Sequence, residues 1–375
     1  MTEPIELLEY DPSWPARFEA ERTRLLEALG GWAWETGGVA YLIEHIGSTS
    51  VPGLAAKPCI DITAGVHPFP LEERYIRALE GLGYEYKGEN NIPARQYFRR
   101  GPHQVHLHVF QAGADPIADF SVFRDYLRAN PAARARYQAL KYELAGKYRD
   151  DRIAYTYGKA SLVHELLQEA YTWHVRQTGF GPVEWLAREL EGLEVPWWVA
   201  SGWGLDLWTG EPSRYHHDLD LTVWRKDQRE ILLHLREQGF NLQVVYGQGQ
   251  YRPWDENEWL SYPEVTQVHA RRADMPFDLL DVMFSEHHEQ NWWYRRKPEI
   301  TMPMEEVILE AQGIRVMNPA ITLLFKSRTS GKDPRPKDQA DFERVLPLLS
   351  AEQRAWVRRA LEIWMPEHPW LLSLE

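Results

Sequence analysis

Apolar residues recur at helical intervals over residues 15–29, 71–82, 120–147 and 159–174, and each stretch predicts an amphipathic helix. Residues 39–46 and 58–66 predict strands, with 48–56 as the loop and turn between them. The segment 103–111 alternates. Val105, Leu107 and Val109 share one face and His106 and His108 the other, as in a half-buried strand. Residues 178–182, a Gly/Pro cluster between two helical patterns, predict a boundary. The expected domains are therefore 1–176 and 177–375. Beyond the boundary the pattern predicts a helix over 183–193, a strand over 197–201, then Gly202 and a short helix. A strand at 219–224, a helix at 227–238 and an apolar strand at 277–284 follow. From Pro319 onward the pattern is mostly helical, with a polar loop at 330–337. The two halves rhyme as helix, strand, small-residue turn and Asp-bearing strand, which suggests a duplicated α/β (α+β) architecture.

Composition narrows the function classes. The 375 residues are 44% hydrophobic and 26% charged, as in ordinary globular proteins. No apolar run approaches the ~18–20 residues of a membrane span, so no membrane partner is expected. The opening residues, MTEPIELLEYDPSW, lack a basic stretch followed by an apolar one, and a signal peptide is not expected. Cys59 is the single cysteine, which excludes an internal disulfide and a zinc site built on cysteines. A reducing cytoplasm is the expected location. The net charge of −13 divides into −3 for residues 1–180 and −10 for 181–375. A nucleic acid would be repelled on average and a cationic small molecule attracted, although acidity also serves solubility alone.

The second half carries the sharper chemistry. In Asp218-Leu-Asp220 on a strand, both carboxylates project from one face because side chains alternate. Such a pair repels unless a cation sits between its members, so it predicts a Mg²⁺ site. Ser201-Gly202-Trp203 opens a helix, and such a turn offers N–H groups and a positive dipole end to phosphates. A third carboxylate, Asp281 or alternatively Asp278, lies within the apolar strand at 277–284, where burial is costly without a cation or hydrogen bonds. Trp254, Trp259, Trp292, Trp293 and Tyr294 cluster between these strands and the helical tail, as a stacking surface or as core.

The string VASGWGLDLWTGEPSRYHHDLDL, ending at Leu221, resembles the aminoglycoside nucleotidyltransferase family of the polymerase-beta-like superfamily. Leu323-Leu-Phe-Lys-Ser327, Arg335-Pro-Lys-Asp-Gln-Ala-Asp-Phe342 and His368-Pro-Trp370 add to the likeness, which covers about residues 183–372. Ser201-Gly202 departs from the commoner Gly-Gly or Gly-Ser order. The resemblance implies that Asp218 and Asp220 ligate Mg²⁺, with Asp281 a third ligand or the base that takes the acceptor's proton. It implies ATP or another NTP as co-substrate and a small hydroxylated acceptor. Ser201, Gly202, Trp203, Arg214, His217 and Lys326 become expected nucleotide contacts, with Lys326 alternatively an ordinary helix lysine.

In the first half, His45-Ile-Gly-Ser-Thr-Ser-Val-Pro-Gly-Leu-Ala-Ala-Lys-Pro-Cys-Ile-Asp-Ile62 packs three hydroxyls into a turn after a strand. Gly47, Ser48, Thr49 and Ser50 can wrap a phosphate, and Lys57 can add a point charge. This string is very similar to the GrpB family, and the match runs from about Ile5 to His174. It includes Tyr10-Asp-Pro-Ser-Trp14, the His-Leu-His strand, Phe123-Arg-Asp-Tyr-Leu127, Lys141 and Tyr157-Gly-Lys159. The family's fold also belongs to the nucleotidyltransferase superfamily, so the resemblance implies two such domains in tandem. Asp61 is followed by Ile62-Thr63, so the second carboxylate of an Asp-x-Asp is missing. His106 and His108 are candidates to complete a metal site with Asp61. Arg95, Lys141 and Lys159 are candidates for a phosphorylated ligand. The first domain is then either catalytic or a non-catalytic binding module, and a protein hydroxyl is an alternative acceptor for the second. No Walker spacing and no G-x-G-x-x-G after a strand are present.

Overall fold

A computed structural model describes residues 4–30, 40–67, 69–102, 104–112, 114–247, 250–272, 274–327, 329–330 and 333–374. Val39, His103, Gly331 and Lys332, which belong to expected elements, lie outside the described residues. The chain divides into two compact units, Met1–Gln177 and Thr178–Glu375. Each is a small mixed sheet flanked by helices, and the second ends in helices.

In the first unit, α1 (Trp14–Leu29) and α2 (Glu73–Gly81) cover one face of a five-stranded sheet. Its strands are β1 (Ala40–Ile46), β2 (Ile60–Val66), β3 (Tyr84–Tyr86), β4 (Gln96–Arg100) and β5 (Val105–Gln111), in the order β1-β2-β5-β4-β3. Only β2 and β5 run parallel. Alternation sorts their side chains. Ile60, Ile62, Val105 and Leu107 enter the core under α1 and α2, so Asp61, His106 and His108 face the other side. The single helical stretch expected at 120–147 is two helices, α3 (Asp115–Ala129) and α4 (Pro131–Lys147). Pro131 disfavours helical geometry at Asn130, whose side chain instead accepts from the Ala133 N–H and caps α4. Helices α5 (Arg152–Gly158) and α6 (Ala160–Thr178) complete the unit.

The second unit begins with α7 (Gly181–Glu189), β6 (Trp197–Val199), α8 (Ser201–Thr209), β7 (Asp218–Trp224), α9 (Gln228–Glu237), β8 (Asn241–Tyr246), β9 (Gln250–Pro253), β10 (Val265–Arg271) and β11 (Leu279–Ser285). A three-stranded sheet of β12 (His287–His288), β13 (Asn291–Tyr294) and β14 (Lys297–Pro303) follows, then α10 (Met304–Val307), β15 (Ile308–Ala311) and β16 (Ile314–Met317). The tail holds α11 (Pro319–Lys326), α12 (Pro336–Val345) and α13 (Ala351–Trp364). The main sheet is ordered β15-β16-β6-β7-β11-β10-β8-β9. Leu219, Leu221, Leu280 and Val282 pack under α7 and α9. The opposite face, which carries Asp218, Asp220 and Asp281, lies toward the tail helices.

One buried charge ties these pieces together. Asp206 of α8 is fully buried and accepts from the Ser213 N–H at 3.0 Å and the Ser213 hydroxyl at 2.7 Å. It also meets His216 Nε2 at 2.8 Å and Arg344 Nη2 of α12 at 2.6 Å. The loop leading into β7 is thus fastened to both α8 and the tail. Removing one member of a buried pair leaves the others uncompensated. Asp206→Ala is expected to destabilise this unit by about 3–5 kcal/mol, read as a lower denaturant midpoint, while Asp206→Asn loses less.

Candidate functional site

The parallel pairing of β7 with β11 aligns Asp220 with Asp281, and Asp218 lies two residues before Asp220 on the same face. Asp220 and Asp281 are buried, and Asp218 is exposed. Burial, and then the Asp218 charge, push Asp220 up to about 7, against a hydrogen bond from the Ser201 side chain. Burial followed by the charges of Asp220 and Asp218 pushes Asp281 well above the usual carboxylate range. Gln267 of β10 donates to Asp281 Oδ2 at 2.9 Å, and Asp281 Oδ1 is buried with no hydrogen-bond partner. Asp278 is not in this group. It lies just before β11, with Oδ2 3.4 Å from His217 Nδ1 and 3.4 Å from the Tyr215 hydroxyl.

Ser201 has φ +54°, a strained value for a side-chain-bearing residue, and it opens α8 beside Asp220. Gly202 is required for space. A Cβ there would lie 2.3 Å from His216 Cε1. Trp203 is a core residue rather than a surface contact. It is buried against Phe180 and the His216 ring.

A cavity of about 180 Å³ opens beside Asp220 and Ser201. Arg295, Arg296, Lys326 and Arg335 line it, with Trp292, Trp293 and Phe325 as aromatic wall. Lys326 is buried, 2.8 Å from Asp341 Oδ2 and 3.3 Å from Asp338 Oδ1. Arg214 does not line the cavity. Its guanidinium meets His216 Nδ1 at 2.7 Å and Asp341 Oδ2 at 3.0 Å, so it braces the loop before β7. Of the five clustered aromatics, only Trp292 and Trp293 reach the cavity. Trp254 and Tyr294 are buried elsewhere and Trp259 is exposed. Arg295, Arg296 and Gln267 were not singled out from the sequence. The two arginines stand in a basic run, Arg295-Arg-Lys297, inside the acidic half, and that run was the available signal.

The first unit has a larger cavity, about 400 Å³, lined by Gly47, Ser48, Thr49, Lys57, Asp61, His106, Lys141 and Lys159 among others. Gly47 has φ +69°, and a Cβ on it would lie 2.6 Å from Asp61 Oδ2, so only glycine lets the turn cross the carboxylate. Of the three turn hydroxyls, Ser48 is the one tied to a cavity cation, accepting from Lys141 Nζ at 2.9 Å. Thr49 donates to the Cys59 carbonyl and Ser50 to the Gly47 carbonyl. Burial, then the charges of Lys159 and Lys57, bring Lys141 down to about 7.

The expected trio of Asp61, His106 and His108 does not assemble. His106 Nδ1 sits 3.0 Å from Asp61 Oδ1, and the third group close to both is Cys59. Burial raises Asp61, but the His106 hydrogen bond and charge outweigh it and hold the carboxylate below its ordinary value. His108 meets Arg95 instead, at 3.0 Å, and burial pushes it down to about 3. Arg95 also donates to the carbonyls of Glu89 and Asn90, and it does not line the cavity.

The family comparisons divide at the same place as the fold. Residues 4–169 match the GrpB protein family, and residues 183–345 match the Aminoglycoside-2''-adenylyltransferase family. A UPF0157 protein of Pseudomonas aeruginosa is 40% identical over 197 residues, covering 50% of this chain and 78% of the relative. The glutamate-rich protein GrpB of Alkalihalophilus pseudofirmus is 31% identical, covering 44% of this chain and 95% of the relative. The chain therefore belongs to the GrpB (UPF0157) family through its first half, and its second half is aminoglycoside adenylyltransferase-like. Among solved structures, GrpB from Enterococcus faecalis is 36% identical, covering 44% of this chain and 96% of its own, with a TM-score of 0.40. The antibiotic-resistance factor ANT(2'')-Ia is 16% identical, covering 48% of this chain and 90% of its own, with a TM-score of 0.35. No helix among the described residues is long and apolar enough to cross a membrane.

The raised carboxylate has a pH consequence. Folded Asp220 keeps its proton up to about 7, whereas an unfolded aspartate loses it near ~4. Between those values the folded state binds more protons, so this contribution is fully present below ~4 and is lost as pH rises through 7. In EDTA-treated protein, the stability gain from Asp220→Asn is expected to grow from near zero at pH 4 to on the order of 1–4 kcal/mol at pH 8. Urea unfolding at the two pH values checks it, and a pH-independent effect would contradict it.

Proposed function

We propose that the second unit transfers a nucleoside monophosphate from ATP, or another nucleoside triphosphate, to a hydroxyl of a small aminoglycoside-like acceptor. The observation that carries this reading is three carboxylates on one sheet face, with Asp220 of the three lining a cation-lined cavity. The likeness of residues 183–345 to aminoglycoside-2''-adenylyltransferases supports the choice of acceptor. So does the net charge of −10 over residues 181–375, which attracts an amino-bearing compound.

The carboxylates suit a divalent cation. Asp281 Oδ1 has no partner, burial and mutual repulsion raise two of the three groups, and an all-oxygen donor set favours magnesium. Bound by Asp218 and Asp220, magnesium would supply positive charge to the phosphate oxygens during transfer. Arg295, Arg296, Arg335 and Lys326 hold the triphosphate, and Trp293 offers a ring for the base. Asp281 takes the acceptor's proton through its unpaired oxygen. Burial and the neighbouring carboxylates raise its affinity for a proton, as a general base requires. The acceptor oxygen bonds to the α-phosphorus as the bond to pyrophosphate breaks.

For the first unit, the favoured reading is a site for a phosphorylated compound. Three lysines line its cavity, and none of them has an ion pair among the described residues. The Asp61 carboxylate offsets part of their mutual repulsion, and an anionic ligand would offset more of it.

Pyrophosphate release from each NTP, with magnesium and a panel of aminoglycosides and other small alcohols, tests the main reading. Acceptor-dependent release is expected, reduced at least about 100-fold by Asp218→Asn. Arg295→Ala is expected to raise KM for the triphosphate more than it lowers kcat. Protein that binds no NTP would overturn the enzyme reading, whereas NTP binding without release would point to an acceptor outside the panel.

A further inference from the structure

The two sheets share a core of three strands. In each, an antiparallel pair is joined by a parallel neighbour: β1, β2 and β5 in the first unit, and β6, β7 and β11 in the second. The registers correspond position by position. Asp61 on β2 faces His106 on β5, as Asp220 on β7 faces Asp281 on β11. Two residues before the central aspartate stands Cys59 in the first unit and Asp218 in the second. The three places that hold three carboxylates in one unit therefore hold a thiol, a carboxylate and an imidazole in the other. The ligand atoms of Cys59, Asp61 and His106 lie within 4.8 Å of one another, and all three residues line the cavity of about 400 Å³.

We propose that the first unit binds a zinc-type divalent cation through Cys59, Asp61 and His106, and that its remaining coordination position takes a phosphate oxygen of a ligand held by Lys57, Lys141 and Lys159. The phosphate half of this inference rests on the phosphate-site reading above, and the metal half does not. Donor chemistry decides the metal. Sulfur and imidazole nitrogen favour zinc, whereas the oxygen-only set of the second unit favours magnesium. Three protein ligands leave a fourth, open position, the pattern of sites that also hold a substrate or water. The Cys59 thiol gives its proton to solvent when it becomes a ligand. A mixed donor set needs one cysteine, so the single cysteine that rules out an all-cysteine site is sufficient here. On this inference the chain keeps two metals apart, each at the same position of a like sheet.

Cobalt(II) titration of the reduced full-length chain tests the proposal, in an Asp218→Asn/Asp220→Asn background that removes the second unit's carboxylate pair. Cys59 is the only cysteine, so a thiolate-to-cobalt charge-transfer band has a single source. The expected result is a band that saturates at one equivalent, is displaced by zinc and withstands excess magnesium. Cys59→Ser, with an unchanged circular dichroism spectrum, is expected to lose the band. Inorganic pyrophosphate is expected to shift the visible cobalt spectrum, and Lys141→Met to lose that shift while keeping the band. Cobalt binding without the band, or displacement by magnesium, would overturn the metal site. A band insensitive to pyrophosphate would overturn its phosphate partner. Neither outcome bears on pyrophosphate release by the second unit, so the two readings fail separately.

Discussion

The second unit is organised around a repulsion that its backbone enforces. Parallel pairing of β7 with β11 sets Asp220 against Asp281 on a buried face, with Asp218 one alternation away. The register cannot relax, because a slip of one residue would turn Leu219, Leu221, Leu280 and Val282 out of the core. The apolar face thus holds the charged face in an unfavourable arrangement. Ser201 and Gln267 each give one hydrogen bond to this group, which falls short of its acceptor capacity. The cavity and its arginines open beside one member of the group, Asp220.

Charge in this unit is local rather than global. The half with a net charge of −10 places four cationic side chains around one cavity, next to its carboxylates. Net charge describes what the surface draws in from solution, and the cavity wall describes what it retains. Opposite signs at the two levels separate what the surface attracts from what the cavity wall attracts.

Much of the framework was legible in the sequence. The periodicity of Val105 to Val109 placed His106 and His108 on one face, and Asp-x-Asp placed Asp218 with Asp220, because alternation is a local property of extended backbone. Pro131 announced a break that the continuous helical pattern obscured. Strands β8, β10, β13 and β16 escaped, since their pattern competes with aromatic and polar residues whose partners are distant in sequence. The same limit hid three site features. His106 joins Cys59 and Asp61 only once β2 and β5 pair, His108 is drawn off by Arg95, and Trp203 turns inward beneath His216. Side-chain partners set by tertiary packing leave little trace in a linear pattern.

Lys326 has a further consequence, for any anion that enters the cavity. It reaches the cavity wall already held by Asp338 and Asp341 of α12. An anion entering the cavity must compete with those carboxylates, and an anion leaving is replaced by them at once. The lysine thus binds an entering anion less strongly than an unpaired cation would.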